Sequence, residues 1–413
     1  MSRTTSYLTF QLKQNFLSKK NWGVCLIFLI WSFWFCYQYL PAHGTLENFS
    51  RQQVTDTLLK NEKFMKTFKP AFPNYPTIAN AGKYVPRFMT SERAQLAAAR
   101  KGEYKQVAAS MKEELLLTDQ LILQGQPWIS YPLQYYSDPN VMRDAGSGNQ
   151  NRNGHYWNLE ARTRLGKYAH MKSNEINEAV INQQTALQQL KRAFFYGLAL
   201  AILIATAVMS TDLVTRDSKR QSILKNFPLT TWGMVNCKSL SALLMGGGLF
   251  LVFLVILLPF NIVKFGLGSL TLPISVYGGN SFTTISLGQF MLEVFVLTLL
   301  SMWLIIRLQI ALQLLLKSEF ASLAVTMFLL VSESLYFLPG LVSINSWTLY
   351  LLPSYFNIGQ LVTGFQNFRY ETTKMTFGLA MILFVITLIV IEIIIYWLTH
   401  QHPIRKAVRL HHA

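Results

Sequence analysis

Leu240-Ser-Ala-Leu-Leu-Met-Gly-Gly-Gly-Leu-Phe-Leu-Val-Phe-Leu-Val-Ile-Leu-Leu-Pro-Phe-Asn-Ile-Val263 holds no charged side chain in 24 residues. A helix crossing the ~30 Å hydrocarbon core of a bilayer needs about 20 such residues, so this stretch reads as a transmembrane helix. Five further runs of the same kind lie at residues 22–40, 193–210, 287–306, 320–342 and 377–398. Together they predict an all-α polytopic membrane protein with six transmembrane helices, one at the start and five together. Composition agrees with two materials joined in one chain. Of 413 residues 51% are hydrophobic and 14% charged, yet the mean hydropathy is only +0.26. Ordinary globular chains carry about 25% charged residues, and a chain threaded wholly through lipid would be more apolar. Three cysteines exclude a disulfide-stapled fold, and 13% aromatic residues exclude a disordered one.

The first run is also a signal-peptide candidate. Its 19 residues exceed the usual length of about 7–15, and no A-x-A cleavage site follows. Phe33, Trp34, Phe35, Tyr37 and Tyr39 at its far end make an interfacial aromatic anchor, so it is expected to stay as a span. Basic residues in short connections orient the spans. The N-terminal segment, the second and fourth connections and the tail carry fourteen Lys/Arg; the two short connections opposite carry Lys264, Arg369 and Lys374. Both termini are thus expected in the cytoplasm, in a cell membrane, with residues 41–192 outside. That insertion holds 20 Lys/Arg and 13 Asp/Glu of a chain with net charge +17. The excess suits a partnership with anionic lipid and, without a basic helix or nucleic-acid module, does not point to nucleic acid. None of Cys25, Cys36 and Cys237 lies in the insertion, which fits a Gram-positive surface.

The insertion reads as a mainly helical domain. Tyr104, Val107, Met111, Leu115, Thr118 and Ile122 recur at spacings of three and four, one face of a helix, with Glu113-Glu114 on the polar face. Residues 171–192 contain no Gly or Pro and run into the second span. They predict one continuous helix of about 40 residues, roughly 60 Å long, standing as a stalk. Pro- and aromatic-rich stretches at 68–88 and 128–136 and a polar loop at 146–154 separate the helices, their rings closing a small core.

The connection between the second and third spans is Thr215-Arg-Asp-Ser-Lys-Arg-Gln-Ser-Ile-Leu-Lys-Asn-Phe-Pro-Leu-Thr-Thr-Trp-Gly-Met-Val-Asn-Cys-Lys238. Ser218 with Gln221 makes a capping box ahead of Ile223 and Leu224. Pro228 ends the short helix, and Thr230 or Thr231 caps the next one. The product is a short amphipathic helix at the inner membrane face. This segment resembles the corresponding connection of ABC-2-type permeases, the membrane subunits of type V ABC exporters. That family shows an acidic residue, basic residues, an aliphatic pair, a proline, Ser/Thr and a lysine about ten residues beyond the proline. Asp217, Lys219 and Arg220, Ile223 and Leu224, Pro228, Thr230 and Lys238 occupy those places, with Lys219-Arg220 where the family commonly has Gly-Thr. Leu351-Leu-Pro-Ser-Tyr-Phe-Asn-Ile-Gly359 is similar to the family's outer re-entrant region. The N-terminal stretch, with Leu8, Leu12 and Phe16 four apart, is similar to its membrane-surface helix. The likeness covers the six-span framework and not the insertion.

The resemblance implies a division of the chain and a task. Residues 1–21 form an amphipathic cytoplasmic helix, 211–239 a coupling loop, 343–376 an outer re-entrant loop and 399–413 a cytoplasmic tail. Arg216, Asp217, Lys219, Arg220, Ile223, Leu224, Lys225, Pro228 and Lys238 would dock on a separate ABC ATPase subunit, which holds the ATP and Mg. A second permease chain, identical or related, would complete a transporter exporting a peptide, lipid or other amphipathic cargo. No cofactor and no hydrolysis are expected in this chain, because Gly82-Lys83 and Gly166-Lys167 are each followed by Tyr and no phosphate-loop motif occurs.

Glu293, Glu333 and Glu392 fall inside the expected spans, where an ionised carboxylate costs at least about 2.5–3.5 kcal/mol. They are candidates for lining a cavity or gate. Gly246, Gly247 and Gly248 permit close helix approach, and Pro259 and Pro339 are expected where the chain leaves regular helix. The seven histidines show no metal spacing, and no catalytic constellation is visible. A MacB/FtsX-like mechanotransmitter also carries an outer domain but has four spans. A receptor or immunity protein binding a peptide through the insertion shares every feature above.

Overall fold

The computed structural model describes residues 3–45, 47–68, 76–123, 150–215, 229–279, 281–337 and 346–401. These are predominantly helical. Four helices are long and apolar enough to cross a membrane: α2 (Lys19–Ala42), α9 (Thr231–Phe265), α10 (Leu287–Leu316) and Phe377–His400, the body of α12 (Phe377–Gln401). A fifth candidate is the bent pair Glu178–Phe195 and Leu198–Met209. The chain is therefore a helical membrane protein. The expected fifth span is helical over α11 (Glu319–Val331), about 20 Å at 1.5 Å per residue. A short turn, Glu333–Tyr336, follows, and Pro339 lies outside the described residues.

α10 sits at the centre, packed against α8 (Leu198–Met209), α9, α11 and α12. Leu297, Ser301, Leu304, Ile305, Ile306 and Ile310 are buried along it. α9 and α12 turn Leu251, Val255, Ile386 and Ile393 outward, as an apolar surface facing lipid does. α9 runs through Pro259 to Phe265 rather than ending there; a proline this near a C-terminus removes one backbone bond with little helix beyond it. Gly246 does serve close packing: a Cβ there would lie 2.4 Å from Met302 Cε and 2.6 Å from Thr206 Oγ1. Gly247 and Gly248 face open space. α1 (Arg3–Phe16) lays Tyr7, Gln11 and Asn15 against α9, leaving Phe16 exposed.

Away from the apolar helices, α3 (Arg51–Thr67), α4 (Pro76–Arg100), α5 (Tyr104–Leu123) and α6 (Gln150–Tyr168) form a helical domain, here termed the outer domain. Successive helices pack on one another. Residues 76–88, expected as a linking stretch, are helical, and α4 passes through Pro86 with Tyr84, Val85 and Phe88 packed on Leu117 and Leu121 of α5. Residues 150–154 of the expected polar loop likewise belong to α6, while 128–136 lie outside the described residues. The α5 stripe is confirmed in Val107, Met111 and Thr118, all buried.

The continuous stalk is absent. Asn177 accepts a bond from the Val180 amide and starts a single turn, Glu178–Ile181. Gln183 adopts φ +52°, and a Thr185/Gln188 capping box restarts the chain as α7 (Ala186–Phe195). Gly197, at φ +105°, then separates α7 from α8 with a 62° bend. Cap-forming polar side chains and one left-handed glycine thus override a run without helix breakers.

A hairpin, β1 (Pro273–Tyr277) and β2 (Phe282–Ser286), joins α9 to α10, with Ile274 opposite Ile285 and Val276 opposite Thr283. β-branched and aromatic residues on each side of Gly278-Gly279 account for it; Gly279 takes φ +105°. It carries the outer domain. α6 packs across both strands, and Tyr156 meets Tyr277, Phe282, Phe365 and Phe368 with ring centroids 4.2–5.5 Å apart. The two chain crossings into the domain lie side by side. Asn182 exchanges two hydrogen bonds with the Phe49 backbone, at 2.7 and 3.0 Å, and Arg192 Nη2 donates to the His43 carbonyl at 2.6 Å.

Candidate functional site

The connection between the second and third expected spans leaves the helical frame after α8 and returns at α9, and both of its ends are fastened. At the outgoing end, Gln313 of α10 donates to the Ser210 carbonyl (2.9 Å) and accepts from the Val214 amide (3.0 Å). Lys20 of α2 binds Asp212 at 2.6 Å, Thr211 Oγ1 at 2.8 Å and the Met209 carbonyl at 3.2 Å. Thr215 Oγ1 donates to Glu319 in the first turn of α11. Three separate helices thus hold six of the seven residues 209–215.

At the returning end Thr230 caps α9, its hydroxyl accepting from the Gly233 amide at 3.1 Å. Tyr7 of α1 packs with Met234 and Cys237, and Asn15 donates to Ser241 Oγ at 3.0 Å. Close by, Arg307 of α10 donates to Asn236 of α9 at 2.5 Å and pairs with Glu392 of α12 at 2.7 Å. The Trp303 and Trp232 rings flank its guanidinium at 4.7 and 5.5 Å. Removing charges this far from water is costly unless they are paired and hydrogen-bonded, and each of these contacts offsets that cost.

The expected docking residues divide. Arg216, Asp217, Lys219, Arg220, Ile223, Leu224, Lys225 and Pro228 lie outside the described residues. Lys238 is only 1% exposed, inside α9, and is corrected from a docking residue to a buried one. It follows the helix face that α1 covers. Lys20, Asp212, Asn236, Gln313 and Glu319 were missed. Gln313 lies seven residues past the expected end of the fourth span, and α10 extends to Leu316; a polar residue recurring inside a helix-compatible apolar run was the available signal.

The three acidic candidates occupy different places, and no hydrogen bond joins any two of them among the described residues. Glu293 is half-buried and accepts from Gln289 at 2.8 Å. Glu392 faces Arg307. Glu333 is enclosed by the segment 352–370: Asn357 donates to its Oε2 at 2.5 Å, and Tyr370, Gln366 and Arg369 donate to Oε1 at 3.1–3.2 Å. Gly359 lets that segment touch α7, since a Cβ there would lie 2.3 Å from the Phe194 backbone.

In the inserted domain, Arg164 of α6 pairs with Glu47 and Glu160, and both partners raise its affinity for the proton against the opposing effect of burial. It ties the segment leaving α2 to the outer domain.

No curated protein and no solved structure matches the chain. One family profile does, from the last two residues of α6 to the end of α12, residues 167–402 and more than half of the sequence. The chain belongs to the family described as "Protein of unknown function (DUF2705)".

Proposed function

We propose that this chain is the membrane-spanning permease subunit of an ATP-driven exporter of the ABC-2 type, coupled to a separate ATPase. The observation that carries the proposal is the bracing of both ends of residues 216–228. A push on this loop meets α2, α10 and α11 at one end and α1 and α9 at the other. A loop that merely linked two spans would not need five helices to brace it. Its sequence supplies Asp217, Lys219, Arg220, Ile223 and Leu224 for a groove on a partner. In this reading the bent pair and residues 320–342 complete six spans, both termini are cytoplasmic, and the outer domain faces the surface of a Gram-positive cell. Two permease chains, identical or related, enclose the route of a peptide, lipid or other amphipathic cargo.

The test is association followed by transport. The tagged chain is expected to co-purify with a phosphate-loop ATPase, and charge reversal of Arg216, Lys219 and Arg220 together should lower the recovered ATPase at least tenfold. Inverted vesicles should then lose ATP-dependent cargo uptake. A chain that purifies alone, with no ATP-dependent movement of peptide or lipid in vesicles, would refute the proposal.

A further inference from the structure

Gln309 of α10 is fully buried, yet neither end of its side-chain amide has a hydrogen-bond partner among the described residues. The Thr206 hydroxyl of α8 shares that condition, on a residue only 1% exposed. Burying such groups without a bond incurs their full desolvation cost. Register sets the two level with one another across the α8–α10 contact. Gln313, one turn beyond Gln309, grips Ser210, one turn beyond Thr206. The helices run the same way, because Thr206 and Met302 meet at Gly246, ahead of that grip on both. Met302, Gln309 and Gln313, spaced seven and four, share one face of α10.

α8 also has the means to shift. At its outer end Gly197 adopts φ +105°, and a Cβ there would meet nothing within 4 Å, so the joint has room to turn. α7, across that joint, is fixed: the Ala186 and Leu187 amides bond the Gly266 and Leu267 carbonyls at 3.1 Å, and Gly359 abuts the Phe194 backbone. Ala199, Ala201, Ala205 and Ala207 give α8 a smooth surface with few side chains to unlock. At the inner end, Lys20 and Glu319 reach residues 209–215 through long side chains that can follow a shift. Gln313 instead holds the Ser210 carbonyl and the Val214 amide at once.

We propose that α8 is a two-position arm hinged at Gly197. In the position described, Gln313 grips its tip. In the second, the Thr206 hydroxyl donates to the Gln309 side-chain carbonyl and Gln313 lets go. Thr206 and Ser210 lie about 14 and 20 Å along the helix from Gly197 at 1.5 Å per residue, so a swing carrying Thr206 by about 2 Å carries Ser210 by about 3 Å. That breaks a two-point grip at 2.9 and 3.0 Å. The two sets of bonds exclude one another, which gives discrete positions rather than a continuum. The arm carries the outgoing end of residues 216–228, but its two positions do not depend on the exporter reading.

Hydrogen exchange of the full-length protein in lipid nanodiscs, read at the amides of residues 211–215, tests it. Thr206→Val and Gln309→Leu each remove the bond of the second position, and each should raise protection of these amides at least fivefold. Gln313→Leu should lower it at least tenfold. Thr298→Val, whose hydroxyl bonds the Val294 carbonyl of its own helix, should leave it at the parent value. Unchanged protection of 211–215 in both Thr206→Val and Gln309→Leu would overturn the arm. So would a rise spread evenly over α9 and α10, which marks a gain of global stability alone. Should Gln309→Leu fail to fold, the nearly isosteric Thr206→Val decides.

Discussion

Replacing Glu333 by alanine removes the acceptor enclosed by the segment 352–370, and its cost follows from what is left behind. Four donors lose an acceptor: the Asn357 and Gln366 amides, the Tyr370 hydroxyl, which keeps Ser354, and the Arg369 guanidinium, which keeps only the neutral Gln360 and Gln366 oxygens. Arg369 matters most. Its side chain is 17% exposed and lies 4.0 Å from the centre of the Phe337 ring, so water reaches it poorly. Breaking a buried ion pair from one side costs about 3–5 kcal/mol, because a charge remains without compensation. Glu333→Gln keeps the shape but exchanges one acceptor for a donor facing donors, and should cost about half as much. Arg369→Met combined with Glu333→Gln removes both charges, and the pair should recover at least 1 kcal/mol relative to the sum of the single changes. The assay is the thermal unfolding midpoint of the detergent-solubilised protein, read as a four-variant cycle. Single variants that melt with the parent, or a double variant equal to the sum, would refute the view that Glu333 fastens this segment. Export lost in Glu333→Gln with an unchanged midpoint would assign the carboxylate to the cargo route instead.

Further expectations rest on other contacts. Gly359→Ala drives a methyl into the Phe194 backbone; it should cost about 2–3 kcal/mol and lower the thermal midpoint, whereas Gly247→Ala, which meets nothing, should not. Glu392→Leu alone leaves Arg307 among tryptophans and should destabilise by about 3 kcal/mol, and adding Arg307→Met should restore most of it; equal losses in single and double variants would contradict the pairing. Stability should also depend on pH through Glu114. Its folded-state carboxyl sits above its unfolded value of 4.5, so folding takes up a proton and the contribution is fully present below that value. It is lost as pH rises from about 4.5 to about 7, an upper limit of roughly 3 kcal/mol. Glu114→Gln should flatten that slope of the melting midpoint and melt above the parent at about pH 8.

Four of the six expected spans were legible because lipid allows one solution. An uncharged run as long as 240–263 has to satisfy its backbone bonds internally, and the helix there merely extends to Thr231 and Phe265 on either side. The outer stripe from Tyr104 was legible for the same periodic reason. Residues 171–192 misled because helix periodicity says nothing about whether Asn177 and Thr185 cap or continue, and that choice depends on Gln188 and on Tyr168, which binds it at 3.1 Å. The hairpin was hidden between two strong span signals. The site was legible as a loop and invisible as a brace: Lys20 and Asp212 are 192 residues apart, and no local pattern pairs them.

The neck of the outer domain carries an implication for how such a chain arises. Phe49 and Asn182 bond to each other, and His43 is held by Arg192, so the polypeptide departs from and rejoins the membrane frame at one spot. A segment whose two ends meet can be inserted into, or deleted from, a gene without rerouting any span. The family profile begins at residue 167, just before the returning half of that neck. Shortening the chain between Phe49 and Asn182 to a tight turn is therefore the natural route to a minimal frame, with the rings of Phe365, Phe368, Tyr277 and Phe282 as the apolar scar to be made polar.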